Sequence, residues 1–315
     1  INNHMQALFD LIPEAYFVEN LKQNRLGTLK IAILREIVGN AIIRSNYPDE
    51  TITFKLSENK DIVEVPARKL KSREKLLGLK MCREFDVVDP SLRYNVIKKS
   101  EQLANPNSIL FGDSVTESGD SVALTSRVIY DWAYSIRDIE QITSTLQHNA
   151  LSEGGTMWNE EEGSLRQSLF QVQYVKPGTY LPHFIMVENV TPALFLHLVA
   201  CIMYESRYFA QSTTNSTSNV KNHLIGVGYA KFEQPVNSYT ITKNWEAQMP
   251  VNFDTVNQVI RDTMIEAYGK QHFVEGTSIT ALVTKLWQEE DTLSAIYKQA
   301  EADSMQFLKD IKITK

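Results

Sequence analysis

The 315-residue chain has only two cysteines, Cys82 and Cys201, which are too few for a disulfide framework. Both lie in apolar surroundings, so we expect buried, reduced thiols in a cytoplasmic protein. No apolar run approaches the ~20 residues that a membrane-spanning helix needs, and no signal peptide or lipidation motif is visible. We therefore expect no membrane association. The first residue is not Met, so we expect the natural N-terminus to lie upstream.

The sequence also lacks the common catalytic signatures. It has no Walker A sequence, no GxGxxG fingerprint and no HExxH motif, and its six histidines are dispersed. His197 lies within an apolar segment, where we expect it to be a hydrogen-bonded core residue. We therefore predict a protein that is not an enzyme and that has no metal ion or cofactor.

The segment ILFGDSVTESG, 109–119, is the stretch that most suggests catalysis. It resembles the first block of the GDSL esterases, with Ser114 as the nucleophile. A serine nucleophile needs a base that a third group orients, and the Asp-x-x-His pair of that family has no match here. A second alternative is a nuclease that cuts target strands with a metal held by Asp113, Glu117 or Asp120.

Charge is distributed unevenly along the chain. The net charge is −6, yet segment 66–99 carries ten Lys and Arg residues against four Asp and Glu residues. Segment 101–170 has the opposite balance, with three basic and eleven acidic residues. A basic stripe attracts phosphate even when the whole protein is acidic. Self-association that sets an acidic face against a basic face is a further hypothesis.

Strand and helix patterns together predict an α+β fold. Segment 26–45 has the β-branched pattern of two strands joined by a turn at Gly39, and 51–56 is expected to continue the same sheet. Lys30 and Arg35 should lie on opposite faces, because the side-chain period of a strand is two.

Helices are predicted where caps and apolar spacing coincide. Pro66 opens a basic helical pattern, and Thr191 is an N-cap followed by proline at the first helical position. A strand at 223–232 follows a polar loop. Apolar residues at helical spacing continue after Asn252, so the C-terminal region is predicted to be helical.

The polar loop at 206–223 forms the first part of the most informative stretch, SRYFAQSTTNSTSNVKNHLIGVGYA at 206–230. It combines two aromatics, three basic side chains and a run of hydroxyl and amide groups from Gln211 to Asn219. Such a combination suits a polyanion with stackable bases. A flexible surface loop is the alternative interpretation.

A second candidate lies in HNALSEGGTMW, 148–158, where Met157 and Trp158 follow a Gly-Gly turn. At an exposed hairpin tip this pair could wedge between bases; as a core anchor it would only hold the insertion in place. The full set of RNA-binding residues that we expect is Lys30, Arg35, Arg68, Lys69, Lys71, Arg73, Met157, Trp158, Arg207, Tyr208, Gln211, Ser212, Thr213, Asn219, Lys221, Asn222 and His223.

Four segments follow one another in the order of a known family: LGTLKIAILREIVGNAIIRS (26–45), NPNSILFGDSVTESGDSVALTSRVIYDWAYSI (105–136), FQVQYVKPGTYLPHFIMVENVTPALFLHLV (170–199) and SRYFAQSTTNSTSNVKNHLIGV (206–227). The chain thereby resembles the Cas-seven family of RAMP proteins, which includes the repeated backbone subunit of the subtype I-D CRISPR Cascade complex. The resemblance implies an RRM-like (ferredoxin-like) core with large insertions.

In that scheme residues 1–315 form one domain. Its expected parts are a basic helical insertion at 66–104, a thumb-like hairpin insertion at 137–170 and a helical C-terminal region at 246–315.

The resemblance also implies a function. A subunit of this family polymerises along CRISPR RNA without reading its sequence, because guide–target pairing carries the specificity. The expected partners are CRISPR RNA, target DNA, copies of itself and other type I-D Cascade subunits. Family members tend to have a cysteine pair before ILFG and arginines in the polar loop. Both are absent here, so phosphate binding is expected to depend on Arg207, Lys221 and backbone amides.

We predict that Ser114→Ala leaves function intact, because the sequence offers Ser114 no base. RNA binding, measured by filter retention, and ester hydrolysis should both match those of the unchanged protein. Loss of RNA binding or of an esterase activity in this variant would contradict a structural role for 109–119.

Overall fold

A computed structural model of the chain describes residues 2–44, 47, 49–92, 95–115, 121–149, 158–159, 161–165 and 169–314. Its α-helices are α1 (Asn2–Phe9), α2 (Ala67–Glu84), α3 (Pro106–Phe111), α4 (Ile139–Ile142), α5 (Pro192–Tyr204), α6 (Ser238–Lys243), α7 (Phe253–Tyr268), α8 (Gly276–Leu286) and α9 (Glu290–Asp310). Its strands are β1 (Thr28–Ile37), β2 (Thr53–Ser57), β3 (Lys60–Val65), β4 (Asp113–Val115), β5 (Val122–Leu124), β6 (Val128–Tyr130), β7 (Ala133–Tyr134), β8 (Thr143–Asn149), β9 (Trp158–Asn159), β10 (Ser164–Leu165), β11 (Leu169–Val175), β12 (Thr179–Glu188), β13 (Val220–Ala230) and β14 (Phe273–Glu275). The expected α+β character is confirmed.

A five-stranded antiparallel sheet forms the centre of the fold, in the order β14-β13-β1-β12-β6. Strand β1 pairs along its whole length with β12 on one side and β13 on the other. Its side chains are buried on both faces, which is why 29–34 is almost continuously apolar apart from Lys30.

Each face of the central sheet has its own hydrophobic core. Leu29, Ile31 and Ile33 face the larger core, which α2, α5 and α8 complete. Ala32 and Leu34 face the smaller core, which α6 and α7 cover. The alternation confirms the prediction that Lys30 and Arg35 lie on opposite faces.

The helix predictions are confirmed with their caps. Helix α2 begins directly after Pro66. The Thr191 hydroxyl accepts the Leu194 amide at the start of α5, and the Asn252 side chain accepts the Thr255 amide at the start of α7. The strand expected at 223–232 occurs as β13.

The predicted partner of segment 51–56 is wrong. The segment does form a strand, β2, but β2 pairs with β3 in a separate sheet of order β2-β3-β7. Both edges of β1 are already occupied by β12 and β13, so no edge remains for a hairpin partner. After Ile37 the chain leaves the sheet through single bridges, of which Ala41 to Val175 and Ile42 to Ala210 are two.

Strands β8 and β11 pair across the predicted insertion 137–170, and β11 extends beyond its end to Val175. They pair from Thr143 with Val175 to Asn149 with Leu169, and the short β9–β10 pair lies between them in sequence.

Cys82 and Cys201 are buried free thiols, as expected. Across the described ranges, none of the helices has the length and apolar character needed to cross a bilayer.

Helices α2 and α5 approach closely at Gly78. A Cβ there would lie 2.2 Å from Asn107 Oδ1 and 2.9 Å from both Cys201 Sγ and His197 Nε2. His197 is the satisfied core residue that the sequence predicted, because it contacts the Tyr297 hydroxyl at 2.7 Å and Asn107 Oδ1 at 3.0 Å. Burial lowers its pKa to about 3, so the ring is neutral.

We predict that Gly78→Ala lowers the free energy of unfolding by about 1–3 kcal/mol, because overpacking at this contact outweighs the better helix propensity of alanine. Urea denaturation measures the change. Ser72→Ala, at an exposed position of the same helix, is the matched control and should stay within about 0.5 kcal/mol. A Gly78→Ala protein as stable as the control would disprove the close approach.

Candidate nucleic-acid interface

A buried polar network joins the central sheet to α2. Arg35 on β1 is 0% exposed, and its Nη1 donates to Glu74 Oε1 at 2.6 Å. The Tyr208 hydroxyl donates to the same oxygen at 2.8 Å, and the Tyr130 hydroxyl donates to the other carboxylate oxygen. A buried charge is tolerated when it is paired and hydrogen-bonded, and Glu74 provides that pairing for Arg35.

Two further side chains accept hydrogen bonds from Arg35. Its Nε donates to His183 Nδ1 at 3.1 Å, and its Nη1 donates to Asn222 Oδ1 at 3.0 Å. His183 Nε2 lies 2.8 Å from the Asp131 carbonyl. Burial and the charge of Arg35 lower the pKa of His183 well below its usual value. The ring is therefore neutral, with Nδ1 free to accept from Arg35 and Nε2 carrying the proton.

The network holds one protonation state. Burial is the largest single effect and would lower the pKa of Arg35. The charge of Glu74, the neighbouring Tyr208 and the hydrogen bond to Glu74 together outweigh burial, so the pKa rises above its ordinary value. Burial, followed by the charge of Glu74, raises the pKa of Tyr130 and of Tyr208 well above the usual value. Both phenols therefore stay protonated and continue to donate to Glu74.

The burial of Arg35 and Lys30 corrects the expectation that they contact phosphate directly. Lys30 is only 3% exposed. Its Nζ donates to the Gln234 carbonyl at 2.6 Å and to the Val236 carbonyl at 3.0 Å, and it pairs with Glu233 at 2.8 Å. The sequence predicted that side chains of β1 alternate between two faces. It did not predict that other elements bury both faces.

Tyr208 and Asn219 close the base of the polar loop. The Tyr208 amide donates to Asn219 Oδ1 at 2.9 Å, and Asn219 Nδ2 donates to the Tyr208 carbonyl at 2.8 Å. Asn222 Nδ2 donates to the Tyr208 hydroxyl and to the Ile202 carbonyl, each at 2.8 Å. Tyr208 and Asn219 are buried and Asn222 is committed internally, so these three residues position the loop, and their expected RNA contacts are corrected accordingly.

The loop itself contains strained backbone. Phe209 has φ 69° and Gln211 has φ 52°, a region that costs energy for residues other than glycine. Such conformations persist where surrounding contacts impose them, and they cluster at functional sites. The Gln211 carbonyl accepts the amides of Thr214 and Asn215 at 3.1 and 3.2 Å, which folds the chain into one turn.

The polar loop packs closely against Gly39 through Ser216 and Ser218. A Cβ at this position would lie 2.4 Å from Ser216 Oγ and 2.7 Å from the Ser218 carbonyl. The loop therefore rests directly on the chain that leaves β1. Thr213 at the turn is exposed, and Ser212 is half-buried.

Arg73 connects the basic helix to the polar loop. Its Nε donates to the Arg207 carbonyl at 2.8 Å, and the side chains of Arg207 and Arg68 are exposed. Burial, followed by the charges of Arg68 and Arg44, lowers the pKa of Lys69, which shows that cations crowd together here. We call this region the α2–loop surface; it comprises Arg44, Arg68, Lys69, Arg73, Arg207, Gln211, Ser212 and Thr213.

Lys71 departs from the expected basic face. Its Nζ donates to Ser126 Oγ at 2.7 Å and to the Val128 carbonyl at 3.3 Å. Burial, together with neighbouring Lys75, lowers the pKa of Lys71 to about 8. Helix α2 thus directs this cation inward, and its direct RNA contact is also corrected.

Lys221 and His223 lie apart from the α2–loop surface. Both neighbour Asn222 on β13, and successive side chains of a strand point to opposite faces. His223 Nε2 lies 2.7 Å from Glu36 Oε2, and its ring centroid lies 4.6 Å from that of Phe253. Lys221 is exposed.

The hairpin residues are only partly described. Met157 lies outside the described residues. Trp158 is exposed and belongs to β9, where it pairs with Leu165 on β10.

The catalytic alternatives gain no support from the geometry. The Asp113 carboxylate pairs with Lys75 at 2.5 Å and accepts the Ser108 hydroxyl at 2.7 Å. Ser114 is exposed on β4. Glu117 and Asp120 lie outside the described residues, and within those residues no cluster of three or more His, Cys, Asp or Glu side chains could hold a metal ion.

The model of the Csc2 CRISPR family matches residues 55–302. The chain belongs to the Csc2 CRISPR family. No curated protein matches it. Among solved structures it is similar to Csc2 from Thermofilum pendens, with 14% identity, 95% of each chain covered and a TM-score of 0.61. At that identity the likeness shows a shared fold.

Two further structural matches are weaker. A chain titled "CRISPR RNA-guided surveillance complex" has 9% identity, with 74% of this chain and 82% of that chain covered and a TM-score of 0.46. A chain described as "CRISPR RNA-guided surveillance complex, pre-nicking" has 10% identity, with 75% of this chain and 87% of that chain covered and a TM-score of 0.48.

Sequence reasoning missed three residues that build the site in this Csc2 chain. Glu74 is the one acidic residue between Arg68 and Lys80, and a lone carboxylate among cations is a usable signal for a buried pair. Gly39 was interpreted only as a turn. Arg44 gave no signal, because its proximity to Lys69 depends on how the chain leaves β1.

We predict that Glu74→Gln lowers the free energy of unfolding by about 3–5 kcal/mol, because it leaves the Arg35 guanidinium buried without a counter-charge. Guanidinium-chloride denaturation measures the loss. Arg35→Met combined with Glu74→Leu removes both charges and should recover much of the stability. A loss below about 1 kcal/mol in Glu74→Gln would mean that the pair is not buried.

Proposed function

We propose that this Csc2 chain is a CRISPR-RNA-binding backbone subunit of a type I-D Cascade effector. It polymerises along the guide with copies of itself, contacts other Cascade subunits and supports recognition of target DNA. It acts as a scaffold in the Cas-seven family rather than as an enzyme. Family membership and the fold shared with Thermofilum pendens Csc2 support this proposal.

The hydrogen bond from Arg73 Nε to the Arg207 carbonyl is the observation that carries the proposal. It places the exposed cations of α2 beside the polar loop, so phosphate-binding charges and hydrogen-bond donors share one surface. Phosphate contacts of this kind supply affinity without sequence information. A subunit that must accept any guide needs that property.

The order of elements supports the RRM-like core. The chain runs β1, α2, β6, β12, α5, β13, and these strands lie in the sheet in the order β13-β1-β12-β6. This is a β-α-β-β-α-β arrangement of the ferredoxin-like kind. We infer that α2 belongs to this core rather than to the basic helical insertion expected at 66–104. By the same reasoning β2 to β5 and β7 to β11 belong to insertions, and α7 to α9 form the added C-terminal region.

Within the proposed interface, residues have two kinds of role. Arg68, Lys69, Arg73 and Arg207 neutralise phosphate, and Gln211, Ser212 and Thr213 offer hydrogen bonds. The buried network around Arg35 positions the loop. Trp158 on β9 and its sequence neighbour Met157 remain proposed base-spacing residues. Lys221 and His223 remain proposed RNA contacts outside the α2–loop surface.

We predict that Arg68→Ala combined with Arg207→Ala weakens binding of single-stranded RNA by about 10–100-fold at low salt. Each lost phosphate contact should reduce the slope of log K against log salt by about 0.7. Fluorescence anisotropy with a labelled oligonucleotide across a salt series measures both quantities. Melting temperature should change little, because both side chains are exposed.

Lys270→Ala is the matched control, since it removes an exposed positive charge from the segment before β14. It should leave affinity and slope close to those of the unchanged protein. A double variant that behaves like Lys270→Ala would exclude the α2–loop surface. Binding without salt dependence in the unchanged protein would exclude phosphate contacts altogether.

A further inference from the structure

A series of aromatic side chains runs from the larger core to the surface. Tyr297, which contacts buried His197, stacks on Phe85 with ring centroids 4.5 Å apart and planes at 15°. Phe85 contacts Trp287 at 5.9 Å, and Trp287 contacts Tyr204 edge-on at 5.6 Å and 69°. Phe85 and Tyr297 are buried, and Trp287 is half-buried and packed against the core. The outermost ring therefore contacts a side chain that the core supports.

Tyr204 forms the outer end of this series. It is the last residue of α5 and is 44% exposed. A phenol ring fixed on one side and open on the other is preorganised to receive a planar partner, because little side-chain freedom is lost on contact. Single exposed aromatic rings are common on protein surfaces. The position of Tyr204 relative to the α2–loop surface therefore decides whether it can contact a ligand.

The location is beside the α2–loop surface. Arg207 follows Tyr204 by three residues, which limits their Cα separation to about 11 Å. Glu205 Oε1 accepts the amides of Ser206 and Arg207 at 3.0 and 2.8 Å, so the intervening chain is held in place. The Arg207 carbonyl in turn accepts Arg73 of α2.

Helix α2 also exposes an apolar side chain among its cations. Leu76 is 37% exposed, and it lies one turn from Arg73 and from Lys80 on the same side of the helix. Leu76, an apolar side chain that can contact a base, therefore lies between cations that attract a phosphate backbone. Single-stranded nucleic acid is bound by this combination, and stacking tolerates every base because each has a π-face.

We propose that Tyr204 is a base-stacking residue, which receives one nucleobase of single-stranded RNA held by the α2–loop surface. This inference rests on the proposed function and assigns to the same surface a contact that is not electrostatic. Salt dependence separates the two kinds of contact, because stacking releases no counterions whereas phosphate neutralisation does.

The experiment compares Tyr204→Leu, Tyr204→Phe and Tyr204→Trp by anisotropy with labelled oligouridylate from about 50 to 200 mM salt, the range over which phosphate contacts change affinity strongly. Tyr204→Leu should weaken binding by about 5–100-fold, by the same factor at each salt concentration and with an unchanged slope. Tyr204→Phe and Tyr204→Trp keep an aromatic face and should stay within about threefold of the unchanged protein.

A fluorescent base gives a second readout. 2-Aminopurine within the oligonucleotide should be quenched on binding the unchanged protein and less quenched by Tyr204→Leu. Unchanged affinity and quenching in Tyr204→Leu would overturn the inference while leaving the proposed function standing. A slope of log K against log salt that falls by about 0.7, the amount expected for one lost phosphate contact, would do the same. If Tyr204→Leu unfolds, a loss above tenfold in Tyr204→Phe or Tyr204→Trp overturns it instead. Failure of the unchanged protein to bind RNA would reject the proposed function itself.

Discussion

The Arg35 guanidinium is buried beneath α2, and the Glu74 carboxylate compensates its charge there. Three further elements each supply one hydrogen-bond acceptor to the guanidinium. Strand β12 contributes His183, β13 contributes Asn222 and the polar loop contributes Tyr208. Removing one partner of such a pair leaves an uncompensated buried charge, which is costly. We infer that the pair acts less as a source of stability than as a constraint, because only one arrangement of sheet, helix and loop satisfies it.

The position of the polar loop follows from this constraint. Tyr208 is held by Arg35 and Glu74 through its hydroxyl and by Asn219 through its backbone. The residues between Tyr208 and Asn219 can therefore be polar and poorly packed without losing their place. Such a division of labour explains why residues 211–218 of the loop need no core-forming side chains. Buried residues position the backbone, and exposed groups remain available for contact with a ligand.

The starts of α2, α5 and α7 could be predicted, because caps and periodicity act over a few residues. Thr191 and Asn252 cap the helices that follow them, and the two faces of β1 were assigned correctly. The candidate site was predicted less well. The loop was recognised by composition and family resemblance, but Lys30 and Lys71 were assigned to a phosphate surface and are turned inward. The charge balance of a segment tells how far its cations outnumber its anions. It does not tell which side of a helix or sheet other elements will bury.

The pattern of side chains along the chain was enough to establish an α+β protein, its capped helices and a polar loop with cations at both ends. Which strands pair, which cations are buried and which residues share the α2–loop surface were decided only when distant segments packed together. Arg35 meets His183 across 148 positions and Tyr208 across 173. Contacts over such separations depend on the folded path of the chain. No local preference encodes them, because burial and pairing are properties of the assembled core.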